Sequence, residues 1–137
     1  MDKTIYAVID TNVFVSALLS KNPESYPLLV LSNIYRGSII PVFNGEILSE
    51  YREVLSREKF HFNSQDIEEA LRTITTFGLS LDRTPVTDEV FPDAKDIVFY
   101  EVKMSKDDAY LVTGNKKHFP NKPFVVTPKE MIEMLLS

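Results

Sequence analysis

The sequence predicts a doubly wound α/β fold: a mostly parallel sheet with helices on both faces. Two observations carry this expectation. Strand-length apolar runs alternate with helical stretches along the whole chain, and the connections between them are short. The first run, Ile5-Tyr6-Ala7-Val8-Ile9, has no polar alternation, the pattern of a strand buried on both faces of a parallel sheet. The 137 residues fit one domain, 1–137, with no internal repeat and no low-complexity linker.

The elements follow in order. The first strand stops at Asp10, and Val13 to Leu19 reads as a helix. Tyr26 to Tyr35 is a second helix, closed by Gly37. Ile39-Ile40-Pro41-Val42 is a short strand in which Pro41 restricts pairing, because it has no N–H to give. From Glu46 to Ser56 the apolar residues Ile47, Leu48, Tyr51, Val54 and Leu55 recur at helical spacing. Ser64-Gln65-Asp66-Ile67 opens a further helix that runs to Phe77 and ends at Gly78. Leu79 and Leu81 mark a minor strand, and Arg83 to Pro92 is irregular. Pro92-Asp93 begins the helix of Val98, Phe99 and Val102. Tyr110-Leu111-Val112-Thr113 and Phe124-Val125-Val126 are the last strands. Thr127-Pro128-Lys129-Glu130 combines an N-cap, a first-turn proline and a capping-box glutamate, with Val126 and Met131 at hydrophobic-staple positions.

Composition narrows the chemistry. The chain has no cysteine, which excludes disulfides and thiolate metal sites. With 44% hydrophobic and 26% charged residues it is an ordinary globular chain rather than a disordered one. The opening Met1-Asp2-Lys3-Thr4 leads into a short apolar run that soon meets Asp10, unlike a signal peptide, and no stretch is long enough to span a bilayer. A cytoplasmic location is the expectation. The net charge of −5 argues mildly against a dedicated nucleic-acid binder, although carboxylates gathered around a cation would carry such charge for a reason.

In open α/β sheets, ligands bind beyond the carboxyl ends of the strands, where strand order reverses. Two loops there are polar: Asp10-Thr11-Asn12 after the first strand, and Gly114-Asn115-Lys116-Lys117-His118 after the strand at Tyr110. Asp10, at the tip of a buried strand, wants a positive partner, but it is equally suited to cap the helix that follows. On its helix, Glu50 lies roughly 100° from the centre of the apolar stripe, against roughly 140–160° for Glu46 and Glu53. Glu50 therefore borders a cleft while its neighbours face water. Asp93 suits an N-cap and Asp96 the third helical position. His61 and His118 lack zinc-type spacing, no serine sits in a nucleophile elbow, and the four glycines form no phosphate loop. Lys116, Lys117 and His118 make a short basic loop suited either to phosphates or simply to solvent.

These acids follow an order that resembles the PIN-domain family, in particular the prokaryotic branch of toxin–antitoxin toxins. The resemblance runs through Val8-Ile9-Asp10-Thr11-Asn12-Val13-Phe14, then Ile47-Leu48-Ser49-Glu50-Tyr51-Arg52-Glu53-Val54-Leu55. It continues in Pro92-Asp93-Ala94-Lys95-Asp96-Ile97-Val98-Phe99 and ends in Tyr110-Leu111-Val112-Thr113-Gly114-Asn115-Lys116-Lys117-His118-Phe119. It implies a three-layer α/β/α sandwich around about five strands. It also implies a site of Asp10, Glu50, Asp96 and Asn115 holding Mg²⁺ or Mn²⁺, with Asn12, Thr113, Lys116 and Lys117 in supporting or substrate-binding roles. Two departures stand out. Asn115 occupies a position that is often Asp in the family, and Asp107-Asp108-Ala109-Tyr110 replaces the commoner Ala-Asp-Tyr. Asp107 and Asp108 are left out of the site, with Asp108 the substitute carboxylate if one is needed.

The activity so implied is metal-assisted hydrolysis of single-stranded RNA. A small antitoxin protein and a homodimer are the partners the resemblance implies. The alternative is a weak or inactive PIN fold that binds RNA or protein, favoured by Asn115 and the acidic balance. A phosphatase of the aspartyl-nucleophile type is disfavoured, because Asp10-Thr11-Asn12 lacks the second aspartate.

Overall fold

The computed structural model describes residues 3–137. Met1 and Asp2, with which the expected leaderless start opens, lie outside the described residues. Five strands form one sheet: β1 (Ile5–Ile9), β2 (Ile39–Phe43), β3 (Leu79–Ser80), β4 (Tyr110–Val112) and β5 (Val125–Val126). Their order is β3-β2-β1-β4-β5, and all four pairings are parallel. The chain therefore winds outward from β1 to β2 and β3, then returns to add β4 and β5 on the other side. Order reverses between β1 and β4.

Among the described residues, six α-helices complete the three-layer α/β/α sandwich: α1 (Thr11–Leu19), α2 (Tyr26–Tyr35), α3 (Gly45–Leu55), α4 (Ser64–Phe77), α5 (Ile97–Lys103) and α6 (Pro128–Leu136). Central β1 is wholly apolar because helices cover it: Ala7, Val8 and Ile9 have no solvent exposure. The aromatic rings of Phe14 on α1, Tyr51 on α3 and Phe99 on α5 are all buried. Tyr51 meets Phe14 edge-on at 4.9 Å between ring centroids and lies 6.1 Å from Phe99, so three helices share one aromatic knot.

Local chemistry explains the boundaries. Gly37 closes α2 at a left-handed φ of +83°, which a side chain resists. Gly78 ends α4 for a different reason: its φ is −98°, but a Cβ would stand 2.3 Å from the Ile74 carbonyl oxygen and 2.6 Å from that of Pro41. Pro41 is tolerated inside the sheet because β2 pairs with β3 only from Val42 onward. The capping box at Thr127 and Glu130 forms in full.

Two helix starts, those of α1 and α5, differ from the sequence expectation by more than one residue. α1 begins at Thr11 rather than Val13, so Asp10 directly abuts the helix. α4 starts at Ser64 and ends at Phe77 as expected, with Asn63 capping it by accepting the Asp66 N–H. The helix expected from Pro92-Asp93 opens as a 3₁₀ turn, Ala94–Asp96, before α5 begins. No described helix is long and apolar enough to cross a membrane.

Candidate active site

Parallel register builds the centre of the site. Ile9 pairs with Val112, and the Asp10 N–H donates to the Val112 carbonyl at 2.8 Å. One step on, Asp10 and Thr113 lie side by side, and Thr113 Oγ1 donates to Asp10 Oδ2 at 2.7 Å. Both residues are buried. Although Asp10 occupies the N-cap position of α1, its side chain makes no capping hydrogen bond. The carboxylate is turned to Thr113, and the capping reading of Asp10 does not hold.

The same threonine orders the second loop. Thr113 Oγ1 accepts the Asn115 N–H at 3.1 Å, while Asn12 Oδ1 accepts the Gly114 N–H at 3.2 Å. Asn12 and Thr113 thus lock the loops after β1 and β4 together. A Cβ on Gly114 would reach 3.4 Å from Asn12 Oδ1, so the loops run in close contact.

Glu50 and Asp96 arrive on separate helices. Along α3, Glu46 and Glu53 are exposed and Glu50 is half-buried, as the helical wheel requires. Glu46 pairs with Arg83 and Glu53 with Arg57. The next residue after Glu50, Tyr51, donates its hydroxyl to the Ile9 carbonyl and so ties α3 to the tip of β1. Burial and, after it, the negative charge of Asp10 push the Tyr51 phenol well above its usual range. Asp93 caps the 3₁₀ turn by accepting the Lys95 N–H at 2.9 Å, which accounts for Asp93 structurally. Asp96, at the end of that turn, is buried instead.

Electrostatics joins these acids. Burial raises the Asp10 carboxyl, partly offset by the Thr113 hydroxyl and the Thr11 N–H, and Glu50 raises it further. Asp96 is pushed up to about 6, by burial first and then by repulsion from Asp10, with Asp93 and Glu50 adding to it. Its Oδ2 atom is buried and has no hydrogen-bond partner among the described residues. His118 Nδ1 stands 3.5 Å away, longer than a formed hydrogen bond.

The basic loop is less free than its composition implies. Lys116 pairs with Glu130 at 2.9 Å, and Lys117 is exposed. The Asn115 amide is engaged at both ends, with Oδ1 accepting the Lys117 N–H at 3.3 Å and Nδ2 lying 3.0 Å from His118 Nε2. Asp108 cannot substitute as a carboxylate. It precedes β4, at the edge of the parallel sheet opposite Asp10, and pairs with Lys106 at 2.9 Å.

A family model for the PIN domain matches residues 6–117, most of the chain. The chain belongs to the PIN-domain family. No curated protein matches it. PIN domains are generally nucleases that use divalent metals and act on nucleic acid, and this PIN chain has hard oxygen donors to offer. Its donor set fits such an ion in kind: Asp10 and Asp96 are carboxylates raised first by burial and then by neighbouring acid charge, and Asp96 Oδ2 is a buried oxygen without a hydrogen-bond partner among the described residues. Among the described residues, however, no three acidic or histidine side chains converge closely enough to hold one ion together. Two contributors were not legible as site residues in the sequence. Tyr51 read as one more member of an apolar stripe, and His118 as part of a basic loop suited to phosphates or to solvent, not as a partner of Asp96.

Proposed function

We propose that this PIN domain is a metal-dependent endoribonuclease acting on single-stranded RNA, with Asp10, Glu50 and Asp96 as its Mg²⁺ or Mn²⁺ ligands. The observation that carries the reading is the burial of Asp96 beside the like charges of Asp10 and Glu50, with an unpartnered buried oxygen, which a hard cation would relieve. A bound cation would supply charge stabilisation of the scissile phosphate and a more acidic water.

The protein's own residues do the rest. Asp10 is held in one orientation by Thr113, and Asn12 keeps the two loops in register, as groups around a ligating carboxylate do. Glu50 is half-buried on α3, and the next residue, Tyr51, ties that helix to the tip of β1. Lys117, and Lys116 by exchanging Glu130 for a phosphate, would anchor the RNA backbone without reading sequence. Asn115, expected as a fourth ligand, already uses its amide within its own loop and receives no ligand role in this reading. The cell context in this reading is cytoplasmic, and by family resemblance a small antitoxin protein is the inhibitor and a second copy of the chain the dimer partner.

The test is calorimetric titration of Mn²⁺ and Mg²⁺ into wild type and Asp10→Asn, alongside cleavage of labelled single-stranded RNA. Metal binding and EDTA-sensitive cleavage should both disappear in the variant. A wild type that binds no metal at millimolar concentration and leaves the RNA intact would sink the nuclease reading. It would favour the second one, a binding module, to which the neutral Asn115 and the unconverged acids point.

A further inference from the structure

The 3₁₀ turn Lys116–His118 is capped by Asn115, whose Oδ1 accepts the Lys117 backbone N–H. That bond fixes which end of the amide is oxygen. The other end, Nδ2, is a donor only, and it faces His118 Nε2 at 3.0 Å. Nε2 must then be the acceptor, so in the neutral ring the proton resides on Nδ1. Nδ1 is the atom 3.5 Å from Asp96 Oδ2, the buried oxygen that has no hydrogen-bond partner among the described residues.

We propose that His118 is a positioning residue of the acidic site: Asn115 holds its ring in the Nδ1–H form, which aims Nδ1–H at the Asp96 carboxylate 3.5 Å away, to close on it and orient it as a ligand. The chain of contacts runs from the Lys117 N–H through the Asn115 amide and the imidazole to Asp96. The first two links are hydrogen bonds, and the third faces a donor to an acceptor at 3.5 Å without closing on it. It also gives a reason for an amide at position 115. Asn115→Asp would replace the donor facing Nε2 with an acceptor, and a neutral ring could then no longer satisfy both neighbours. The purpose of this orientation rests on the metal-nuclease reading of the site; the tautomer itself does not. Ligating carboxylates are ordinarily held by such outer hydrogen bonds.

Nitrogen-15 chemical shifts of the His118 ring, measured on metal-free full-length protein where the ring is neutral, read the tautomer directly. Wild type should show protonated Nδ1 and bare Nε2, and Asn115→Ala should lose that preference. An Nε2–H ring in wild type, or a ring indifferent to Asn115→Ala, overturns the proposal. Mn²⁺ titration then tests the positioning role. His118→Ala should weaken binding about tenfold. His118→Asn, whose amide nitrogen lies close to the place of Nδ1, should recover most of it, whereas His118→Gln should not. Equal affinity in wild type and His118→Ala, with Asp10→Asn abolishing binding, overturns the positioning role and leaves the metal site standing. A wild type that binds no Mn²⁺ overturns the metal reading and the purpose given to His118, while the ring shifts still decide the tautomer.

Discussion

Burial beside like charges makes Asp96 a stability liability at neutral pH. Its folded value of about 6 lies above the ordinary 3.8, so between those values the folded chain holds more protons than the unfolded one. Stability from this group is therefore fully present below 3.8 and is lost as pH rises through 6. Asp10, also raised, acts in the same direction. Glu68 and Glu130, lowered by Arg52 and by the Thr127 cap respectively, act in the opposite one, so the total pH profile mixes signs. The difference between wild type and Asp96→Asn isolates the site. In metal-free protein the variant should gain on wild type as pH rises from 4 to 7, by on the order of 2 kcal/mol. Urea midpoints across that range give the answer, and parallel profiles would refute it. In the sequence, a strand tip pointed to Asp10 and a helical wheel to Glu50, while Asp96 was singled out only by the family resemblance. Their protonation was not legible there, since it depends on neighbours that only folding supplies.

Punctuation residues made most elements readable. α2 and α4 stop where Gly37 and Gly78 stand, and α6 starts at its capping box. The two glycines do this by different physics, which separates their mutants. Gly37 needs its left-handed φ, but a Cβ there would meet nothing within 4 Å. Gly37→Ala should cost only the conformational penalty, about 1–2 kcal/mol. At Gly78 an added Cβ collides with two backbone carbonyls and comes within 2.8 Å of the Phe43 ring, and backbone cannot swing away as a flexible side chain would. Gly78→Ala should cost about 3 kcal/mol or more, by forcing α4 off β2. Chemical denaturation of the two variants settles the order, and a smaller loss at Gly78 would contradict the geometry. What the sequence hid at this scale was brief structure. The 3₁₀ turns Glu58–Phe60 and Lys116–His118 are too short to show a period, yet the second one aims His118 at Asp96.

The site exists only at the scale of the whole molecule, because Asp10, Glu50, Asp96 and Thr113 come from four segments. The sheet register placing Thr113 beside Asp10 was foreseeable from two parallel strands with polar tips. The fastening of α3 against α5, which carry or abut Glu50 and Asp96, was not. Beyond the Tyr51–Phe99 contact, it draws on the irregular segment from Arg83 onward, where no periodicity exists to read. Arg83 bonds Glu46 on α3 at 2.8 Å and Glu101 on α5 at 2.7 Å. Buried Glu101 also accepts the Val86 N–H at 2.7 Å, and its carbonyl takes the Thr84 N–H. The two ends of this clamp differ in worth. Glu46 is well exposed, so its pairing is screened, and Glu46→Ala should cost under about 1 kcal/mol. Glu101→Ala strips a buried carboxylate from Arg83 and strands the Val86 N–H, at a cost of about 2–3 kcal/mol. Glu101→Gln should fall between, since its amide oxygen can still take the Val86 N–H. Hydrogen exchange at the Val86 amide distinguishes a clamp from mere surface pairing. Exchange there should speed up in Glu101→Ala and stay near wild type in Glu46→Ala. Equal exchange in both variants would mean that the segment is held by packing, and that the two acid-bearing helices are positioned without it.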